Sequence, residues 1–392
     1  MINFIKNTIV SLKALINFNK LSSESRKIVF YAEDIQSQNY LLDLVKELVD
    51  NFNEEVCYFT SDPKDTIFME KNRFPKLKIF YIGSGFIRTW VFMNLKAEIM
   101  IMTMPDIERF HLKKSKIYQV HYLYIFHALV STHSNYRLGA FNSYDTIFCT
   151  GKQQILEIRE TEKHYKLPRK NIYKDGYRPL EFLIAENKSF KKSGSNKLTI
   201  LIAPSWGEHS IFTNCIDELL DNLVKCDASI FLRPHPMILR NHYDQIQRLK
   251  SRYKNKMNFH IQENPINRNI LFESDLLITD WSGIGIEYGL GLQKPVLYID
   301  MPKKNLNPEY HLIDQTPMEV TIRSEIGKII DIKDLGNINQ IISKAISSYS
   351  ADGVLKIREK YVFMKKNSLY KAAKRVVSIA NANRIRNLKQ SD

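Results

Sequence analysis

One stretch of the sequence, residues 275–300, decides the fold, and it reads DLLITDWSGIGIEYGLGLQKPVLYID. Its apolar run at 276–278 is typical of a buried strand, and Trp281-Ser282-Gly283 follows as a short polar turn. Small apolar residues from Ile284 predict a helix, which Lys294-Pro295 ends before a second strand-like run at 296–299. A helix that starts after such a turn has free backbone N–H groups, which bind anions such as phosphate. The alternative is an ordinary strand–turn–helix unit in which Ser282 only caps the helix.

Strand-like and helix-like segments alternate on both sides of this stretch. Strands are predicted at 27–34, 56–60, 78–82, 98–104, 117–126 and 146–149, and again at 198–203, 229–232 and 258–262. A polar stretch at 184–196, rich in Gly, Ser and Lys, separates the two sets and is predicted to be a linker. The pattern predicts an α/β fold with two Rossmann-like domains, residues 23–185 and 186–350, whose parallel sheets face each other across a cleft. Basic helices are predicted at both ends, residues 1–22 and 351–392.

The composition is strongly basic, with 57 Lys and Arg against 42 Asp and Glu and a net charge of +15. Nucleic acid, an anionic membrane surface or a phosphate-rich substrate would each suit that charge, and so would a solvated surface without a partner. The sequence has no RNA- or DNA-binding motif, and aromatic residues are not interleaved with the basic runs, so we predict no nucleic-acid partner. The four widely spaced cysteines lack metal-binding spacing, which predicts a reduced, cytoplasmic protein.

The first segment, 1–22, is predicted to be an amphipathic helix. Ile2, Ile5, Ile9, Leu12 and Ile16 share one face at helical spacing. Lysines interrupt the apolar run, so we do not interpret it as a secretion signal. The apolar face fits a membrane surface, and it also fits the protein's own core, which is the slightly more common case. No segment is long and apolar enough to be predicted as a membrane span.

Polar residues follow several predicted strands, where ligands bind in open α/β sheets. His127 comes directly after a strand and could take a proton from a hydroxyl group, although a histidine bonded to backbone in the core is the alternative. His133 is a candidate for substrate binding or a surface residue of the next helix. Ser205 and Trp206, in the stretch APSWGEHS at 203–210, are further candidates for substrate binding.

The run Arg233-Pro234-His235-Pro236 is more specific, because the two prolines fix the backbone around a histidine. Arg233 offers a permanent charge with a planar fork suited to phosphate oxygens, whereas a rigid turn would need neither side chain. Ser282 could add its hydroxyl to a phosphate site at the helix start, together with Asp280 and Gly283, and the alternative for Asp280 is that it caps the helix. Glu287, one turn into the helix, could bind ribose hydroxyls or form a buried ion pair.

Taken in this order, these residues resemble the CDP-glycerol glycerophosphotransferase family, which includes teichoic-acid primases and polymerases and related capsule enzymes. The resemblance covers about residues 110–300 and is strongest in 126–151, in 233–236 and in 279–287. It implies a GT-B fold that holds the nucleotide mainly in the second domain and the acceptor in the first. It also implies that His127 is the catalytic base, that His235 contacts the diphosphate, and that Asp280 and Ser282 form the helix-start phosphate site. The family's polymerases often have a second serine where this chain has Gly283.

The resemblance implies a transferase that moves a glycerol-phosphate or similar polyol-phosphate unit from a CDP-activated donor to a hydroxyl group and releases CMP. The acceptor would be a polyol-phosphate, a glycan or a lipid-linked molecule of the cell envelope. We predict no cofactor, and no metal because no Asp-x-Asp pair ends a strand. The basic ends predict a peripheral position at the inner leaflet of the cell membrane. Two alternatives are a GT-B glycosyltransferase that uses a nucleotide sugar in surface polysaccharide synthesis, and a non-enzymatic basic module that binds nucleic acid or membrane.

Overall fold

Two parallel β-sheets, each packed between helices, form the framework of the protein. The computed structural model describes residues 2–192, 197–264, 267–303, 305–364 and 366–389, with side chains from residue 8 onward. Apolar cores lie on both faces of each sheet, so the central strands are buried along their whole length. This explains why they appear in the sequence as continuous apolar runs rather than as alternating ones.

The first sheet is seven-stranded, with the order β3-β2-β1-β4-β5-β6-β7 and parallel pairing throughout. Its strands are β1 Ile28–Ala32, β2 Val56–Thr60, β3 Leu77–Tyr81, β4 Ile99–Met102, β5 His121–Ile125, β6 Thr146–Cys149 and β7 Asn171–Lys174. The second sheet is six-stranded, with the order β10-β9-β8-β11-β12-β13, and it is also parallel. Its strands are β8 Leu198–Ile202, β9 Ala228–Leu232, β10 Phe259–Ile261, β11 Leu276–Thr279, β12 Val296–Ile299 and β13 Gly327–Ile330.

The α-helices connect these strands and cover the sheets. They are α1 Ile2–Asn19, α2 Gln38–Asp50, α3 Gly85–Met93, α4 Lys152–His164, α5 Arg178–Ser189, α6 Ile211–Asn214, α7 Ile216–Leu223, α8 Pro236–Asn241, α9 Tyr243–Arg252, α10 Asn269–Glu273, α11 Gly283–Leu292, α12 Met318–Ile326, α13 Ile338–Ser347, α14 Asp352–Tyr361 and α15 Ser368–Lys389. Short 3-10 helices occur at Ile35–Ser37, Thr66–Asn72, Tyr310–Leu312 and Ile332–Asn337.

The structure confirms two parallel α/β domains, and it adds two strands that the sequence pattern did not predict. Both β7 and β13 are outer strands with exposed polar positions, so they lack the apolar run that identifies the inner strands. The predicted linker at 184–196 is partly wrong, since α5 continues to Ser189, and residues 193–196 lie outside the described part. The predicted boundary at 185/186 therefore falls inside α5.

The segment 351–392 was predicted as separate C-terminal helices, but its two helices belong to different parts of the fold. α14 packs against α11 and α12 of the second domain, whereas α15 crosses back and packs against α2, β4 and β5. Ala373, Val376 and Ala380 of α15 are fully buried in the core of the first domain. The first domain is therefore completed by residues from the far end of the sequence.

The N-terminal helix α1 packs on β3 and α3 through residues beside its predicted apolar face. Leu15 and Phe18 are buried against the first sheet. Ile9, Leu12 and Ile16, which the helical spacing places together, are instead exposed at 47%, 39% and 54%. Ile9, Leu12 and Ile16 of the apolar stripe thus point away from the protein's own core. A search of the described helices finds none with the length and hydropathy needed to cross a membrane.

Candidate active site

The candidate site lies where the strand order of the second sheet reverses, between β8 and β11. The connections after these two adjacent strands leave toward opposite sides, which opens a crevice above their carboxyl ends. Three of the predicted stretches meet there, because 203–210 follows β8, 233–236 follows β9 and 280–287 follows β11. The topology therefore brings together segments that are far apart in the sequence.

The start of α11 is built to receive an anion. Ser282 precedes the helix in an extended conformation, and its side chain makes no capping hydrogen bond. A Cβ added at Gly283 would meet nothing within 4 Å, so open space lies above the first turn. Two residues further on, Gly285 lets the helix approach the sheet, since a Cβ there would lie 2.8 Å from the Tyr298 ring. The serine hydroxyl is therefore available to a ligand, together with the backbone N–H groups of the first turn that have no partner within the helix, which favours the phosphate interpretation over a simple cap.

Asp280 supports the site from below, and its carboxylate does not face the crevice. The side chain is fully buried and accepts hydrogen bonds from the backbone N–H groups of Ser205 at 2.8 Å and Ile211 at 2.9 Å. Burial raises the pKa of this carboxyl group, while the backbone donors lower it. The prediction that Asp280 binds substrate is therefore not matched by its position. It anchors the loop that carries Ser205 and Trp206.

A cleft of about 250 Å³ opens above these elements, with residues of both domains in its wall. Five of the predicted site residues line it, namely Ser205, Trp206, His235, Ser282 and Gly283. From the first domain, Val130 and Asn135 complete the wall. The cleft therefore lies between the two domains, as the sequence pattern predicted.

A hydrogen bond from the backbone determines the tautomer of neutral His235. The backbone N–H of Met237 donates to its Nδ1 at 3.1 Å, so the neutral ring carries its hydrogen on Nε2. An Nε2–H group in this cleft is a suitable donor to a phosphate oxygen. The Trp206 ring lies nearby, with its centroid 6.1 Å from that of His235. The backbone N–H of Met237 thus holds a histidine of the 233–236 run in the cleft wall.

Arg233 and Glu287 do not line the cleft, and their opposite charges interact with each other. Burial and the neighbouring Arg268 lower the pKa of the Arg233 guanidinium, and Glu287 opposes this effect. Burial raises the pKa of Glu287, which both arginines and a hydrogen bond from Tyr177 counteract. Burial thus disfavours the charged form of both side chains, and the charge of each one partly offsets this effect on the other.

Tyr177 connects Glu287 to the first domain. Its side chain is buried, and its hydroxyl lies 2.8 Å from Glu287 Oε1 and 3.2 Å from the carbonyl oxygen of His127. A single hydroxyl is thus within hydrogen-bonding distance of the donor-side helix α11 and of the residue predicted to be the base. No sequence pattern pointed to Tyr177, because only the folded chain brings it between the two domains.

His127 has the geometry of a neutral proton acceptor. Its Nδ1 lies 3.0 Å from the carbonyl oxygen of Thr103, and because a carbonyl only accepts, Nδ1 carries the hydrogen. Nε2 is then the basic nitrogen. Burial lowers the pKa of His127, so the ring stays neutral near pH 7. His127 does not line the 250 Å³ cleft itself, but the Tyr177 hydroxyl joins its backbone to Glu287.

His133 is placed away from the cleft, contrary to the prediction that it binds substrate. Its side chain is buried, with Nδ1 3.0 Å from Ser131 Oγ and 3.7 Å from Glu157 Oε2. Its carbonyl oxygen accepts a hydrogen bond from the Asn307 side chain of the second domain at 2.9 Å. His133 therefore helps to hold the domains together and does not face a ligand.

Several residues of the cleft wall were not predicted, and two of them carry polar groups with defined contacts. Trp281 donates from Nε1 to the carbonyl oxygen of Met301 at 2.6 Å and stacks under the Arg323 guanidinium, 3.7 Å from the ring centroid. Lys303 reaches the cleft from the loop after β12, 3.8 Å from Glu319. Burial lowers the pKa of Lys303. A single lysine in a polar loop carries no pattern that distinguishes it from the many other lysines of the sequence.

Within the described ranges, no group of three or more His, Cys, Asp or Glu side chains is arranged to hold a metal ion. The basic groups found at the site are instead His235, Lys303 and the amino end of α11. The prediction that the reaction needs neither metal nor cofactor stays a prediction.

The chain matches a known protein family. The family model described as CDP-Glycerol:Poly(glycerophosphate) glycerophosphotransferase matches residues 24–304, which is most of the chain. A search of curated proteins gives no match.

Solved structures share the fold at low sequence identity. The wall teichoic acid polymerase TagF, soaked with CDPG, is similar with a TM-score of 0.55 and 14% identity over 97% of this chain and 98% of that chain. A glycosyltransferase from Rickettsia africae has a TM-score of 0.52 and 14% identity over 90% and 98% of the two chains. The UDP-GlcNAc 2-epimerase from Neisseria meningitidis, bound to UDP-GlcNAc, has a TM-score of 0.54 and 13% identity over 90% and 99%.

These likenesses confirm the GT-B fold, with two parallel-sheet domains around a cleft. The family match covers the strand-end residues His127, Arg233, His235 and Ser282, whose arrangement is described above. The chain therefore belongs to the CDP-glycerol:poly(glycerophosphate) glycerophosphotransferase family, and it is an enzyme of that type.

Proposed function

We propose that this enzyme transfers glycerol phosphate from CDP-glycerol to a hydroxyl group of a polyol-phosphate, glycan or lipid-linked acceptor, with release of CMP. The observation that carries the proposal is the start of α11, where Ser282, whose side chain makes no capping hydrogen bond, and Gly283 line the cleft beside His235. Lys303 lies in the same wall, so donors and a positive charge surround a space suited to a diphosphate. The teichoic-acid polymerase with a similar fold supports the choice of donor.

In the proposed reaction, the acceptor oxygen attacks the phosphorus atom that carries glycerol. A new phosphorus–oxygen bond forms, and the bond to the bridging oxygen breaks so that CMP leaves with the electron pair. His127 Nε2 takes the hydroxyl proton, which its neutral state allows. His235, Ser282 and the α11 N–H groups stabilise charge on the phosphoryl oxygens, and Arg233 adds a positive charge behind them.

The test measures CMP release from purified protein given CDP-glycerol and a short glycerol-phosphate acceptor. His127→Ala should lower kcat by about 10²–10⁴, the range for loss of a general base. His164→Ala, which removes an exposed histidine from α4, is the matched control and should retain activity. CDP-ribitol and a UDP-sugar are included as donors. Turnover of the UDP-sugar alone would replace the proposal with a glycosyltransferase.

We also propose that the enzyme works on the inner face of the cell membrane, and α1 and α3 support this location. These helices pack together, and their outer surface carries Ile9, Leu12 and Ile16 together with Phe86, which is 83% exposed, and Trp90. Exposed lysines accompany this surface at Lys13, Lys96 and Lys116. Apolar side chains among lysines suit the boundary of an anionic leaflet.

Vesicle sedimentation tests the location. The full chain should bind vesicles that contain phosphatidylglycerol. Phe86→Asp should weaken this binding by roughly tenfold, because an aromatic side chain that enters the lipid is replaced by a charged one. Met257→Asp is the matched control, because Met257 is 91% exposed on the other domain. Equal loss in both variants, or binding by neither, would contradict the proposed surface.

A further inference from the structure

A second cleft, of about 630 Å³, lies on the first domain between strand β7 and helix α15. Its floor contains Phe148 and Ile172 of the sheet, and its walls contain Lys174 at the end of β7 and three cations of α15, which are Lys371, Lys374 and Arg375. The cleft exists because α15 crosses back over this domain, so the sequence alone did not indicate it. We refer to these four side chains as the basic cleft.

The four cations are not neutralised by neighbouring acids. In the part of the chain that the structure describes, none of them forms an ion pair with a carboxylate. Asp175 also lines the cleft, but it is paired with Arg178 at 2.9 Å. Glu181 lies near the rim, where Ser368 Oγ is 3.3 Å from its carboxylate. A concave surface with this excess of positive charge attracts an anion with several charges.

Two cations of the basic cleft lie over neighbouring aromatic rings. Arg375 lies 4.2 Å from the centroid of the Tyr173 ring, and Lys174 lies 5.8 Å from that of Phe363. Single-stranded nucleic acids bind by stacking their bases on aromatic faces, and here a cation already lies over one face of each ring. The arrangement favours a chain that carries phosphate groups and has no bases to stack.

The basic cleft lies close along the chain to a residue next to the active site. Lys174 ends β7, and only Asp175 and Gly176 separate it from Tyr177, whose hydroxyl lies by Glu287 and the His127 carbonyl. At 3.8 Å between successive Cα atoms, the backbones of Lys174 and Tyr177 are at most about 11 Å apart. A polymer held in the basic cleft could therefore extend its end to the reacting groups.

We propose that the basic cleft binds the phosphodiester chain of a polyol-phosphate acceptor while the terminal hydroxyl of that chain reacts in the active site. This inference rests on the proposed function and narrows its acceptor. It makes the enzyme one that extends an existing polyanionic chain, and it predicts that long acceptors bind more tightly than a single unit. The lysines and Arg375 contact phosphates along the chain without contacting the reacting atoms.

The test compares two acceptors of the full-length enzyme, a long glycerol-phosphate oligomer and a single glycerol-phosphate unit. The variant K371Q/K374Q should raise the KM for the oligomer roughly tenfold, because two exposed charge contacts are lost. Its kcat and its KM for the single unit should not change. The matched control K225Q/K254Q removes two exposed lysines from the second domain and should leave both KM values within about twofold. Lys174→Gln provides an independent variant on the other wall.

Direct titration with the labelled oligomer separates this inference from the proposed function, because it needs no turnover. Salt-sensitive binding that the cleft variants weaken and the control does not would support the basic cleft. Turnover of the single unit without tighter binding of the oligomer would overturn the cleft and leave the proposed function intact. An oligothymidylate or phosphatidylglycerol vesicles that bind more tightly than the oligomer, with loss in the same variants, would also overturn it.

Discussion

Asp280→Asn would test the support beneath the donor site. The carboxylate of Asp280 accepts from two backbone N–H groups, those of Ser205 and Ile211, and is fully buried. Asparagine has nearly the same shape, but its amide nitrogen would face one of these N–H groups, donor against donor. One hydrogen bond to a charged acceptor is lost and a buried N–H is left unpaired, at a cost of about 2–4 kcal/mol.

The cost should appear locally, because the backbone groups bonded to Asp280 all lie in the loop after β8, at the start of α6 or at the start of α11. Hydrogen exchange of the Ser205 and Ile211 amides should become about 30- to 1000-fold faster, which is the same free energy expressed as a local opening equilibrium. Since Ser205 and Trp206 line the cleft, the KM for CDP-glycerol should rise by about tenfold or more while the KM for the acceptor is unchanged.

The matched control is Asp244→Asn, which makes the same change at an exposed position of α9. It should alter neither exchange nor the KM for the donor. If Asp280→Asn left the exchange of both amides as slow as in the wild type, the assigned role of Asp280 in anchoring the loop would be refuted. A rise in the acceptor KM equal to that of the donor would refute the division of the cleft between the two domains.

Three further predictions concern other positions. Because burial lowers the pKa of His127, the acid limb of kcat/KM should lie below the ordinary histidine value of about 6.5, and a limb at or above that value would exclude His127 as the base. Gly151→Ala would place a Cβ 1.7 Å from the carbonyl oxygen of Tyr361, so the free energy of unfolding, measured by thermal melting, should fall by about 1–3 kcal/mol or more. The control Gly353→Ala, whose Cβ would meet nothing within 4 Å, should leave stability unchanged or slightly higher. Equal effects of the two changes would contradict the contact with Tyr361. Gly283→Ser enters open space, so the melting temperature should hold while the added hydroxyl lowers the KM for CDP-glycerol by about threefold; a lower melting temperature would show that the site is closed.

The sequence was informative where local pattern and function coincide. Continuous apolar runs predicted the inner strands, since a strand buried on both faces has no polar side to interrupt it. Residues directly after those strands, such as His235 and Ser282, could be assigned to the cleft because carboxyl ends of parallel strands share one edge. The helix start at α11 followed from its small residues and polar turn.

Other features depend on contacts between distant segments and leave no local pattern. Asp280 was expected to meet the ligand, but which way a carboxylate points is set by the N–H groups that fold around it. Tyr177 and Lys303 become part of the site only through tertiary structure. His133 lies on the same segment as His127, yet packing against Glu157 removes it from the cleft. The outer strands β7 and β13 were missed because half-exposed strands are too polar to identify.

The return of α15 to the first domain has a consequence for how the protein is made. The first sheet is complete once β7 leaves the ribosome, but α15 follows roughly two hundred residues later. At about 5–20 residues per second, the apolar surface that Ala373, Val376 and Ala380 cover stays open for roughly 10–40 s. The nascent chain therefore carries an exposed sheet face while the second domain is synthesised, and a chain cut before residue 368 would keep that face open to chaperones and proteases.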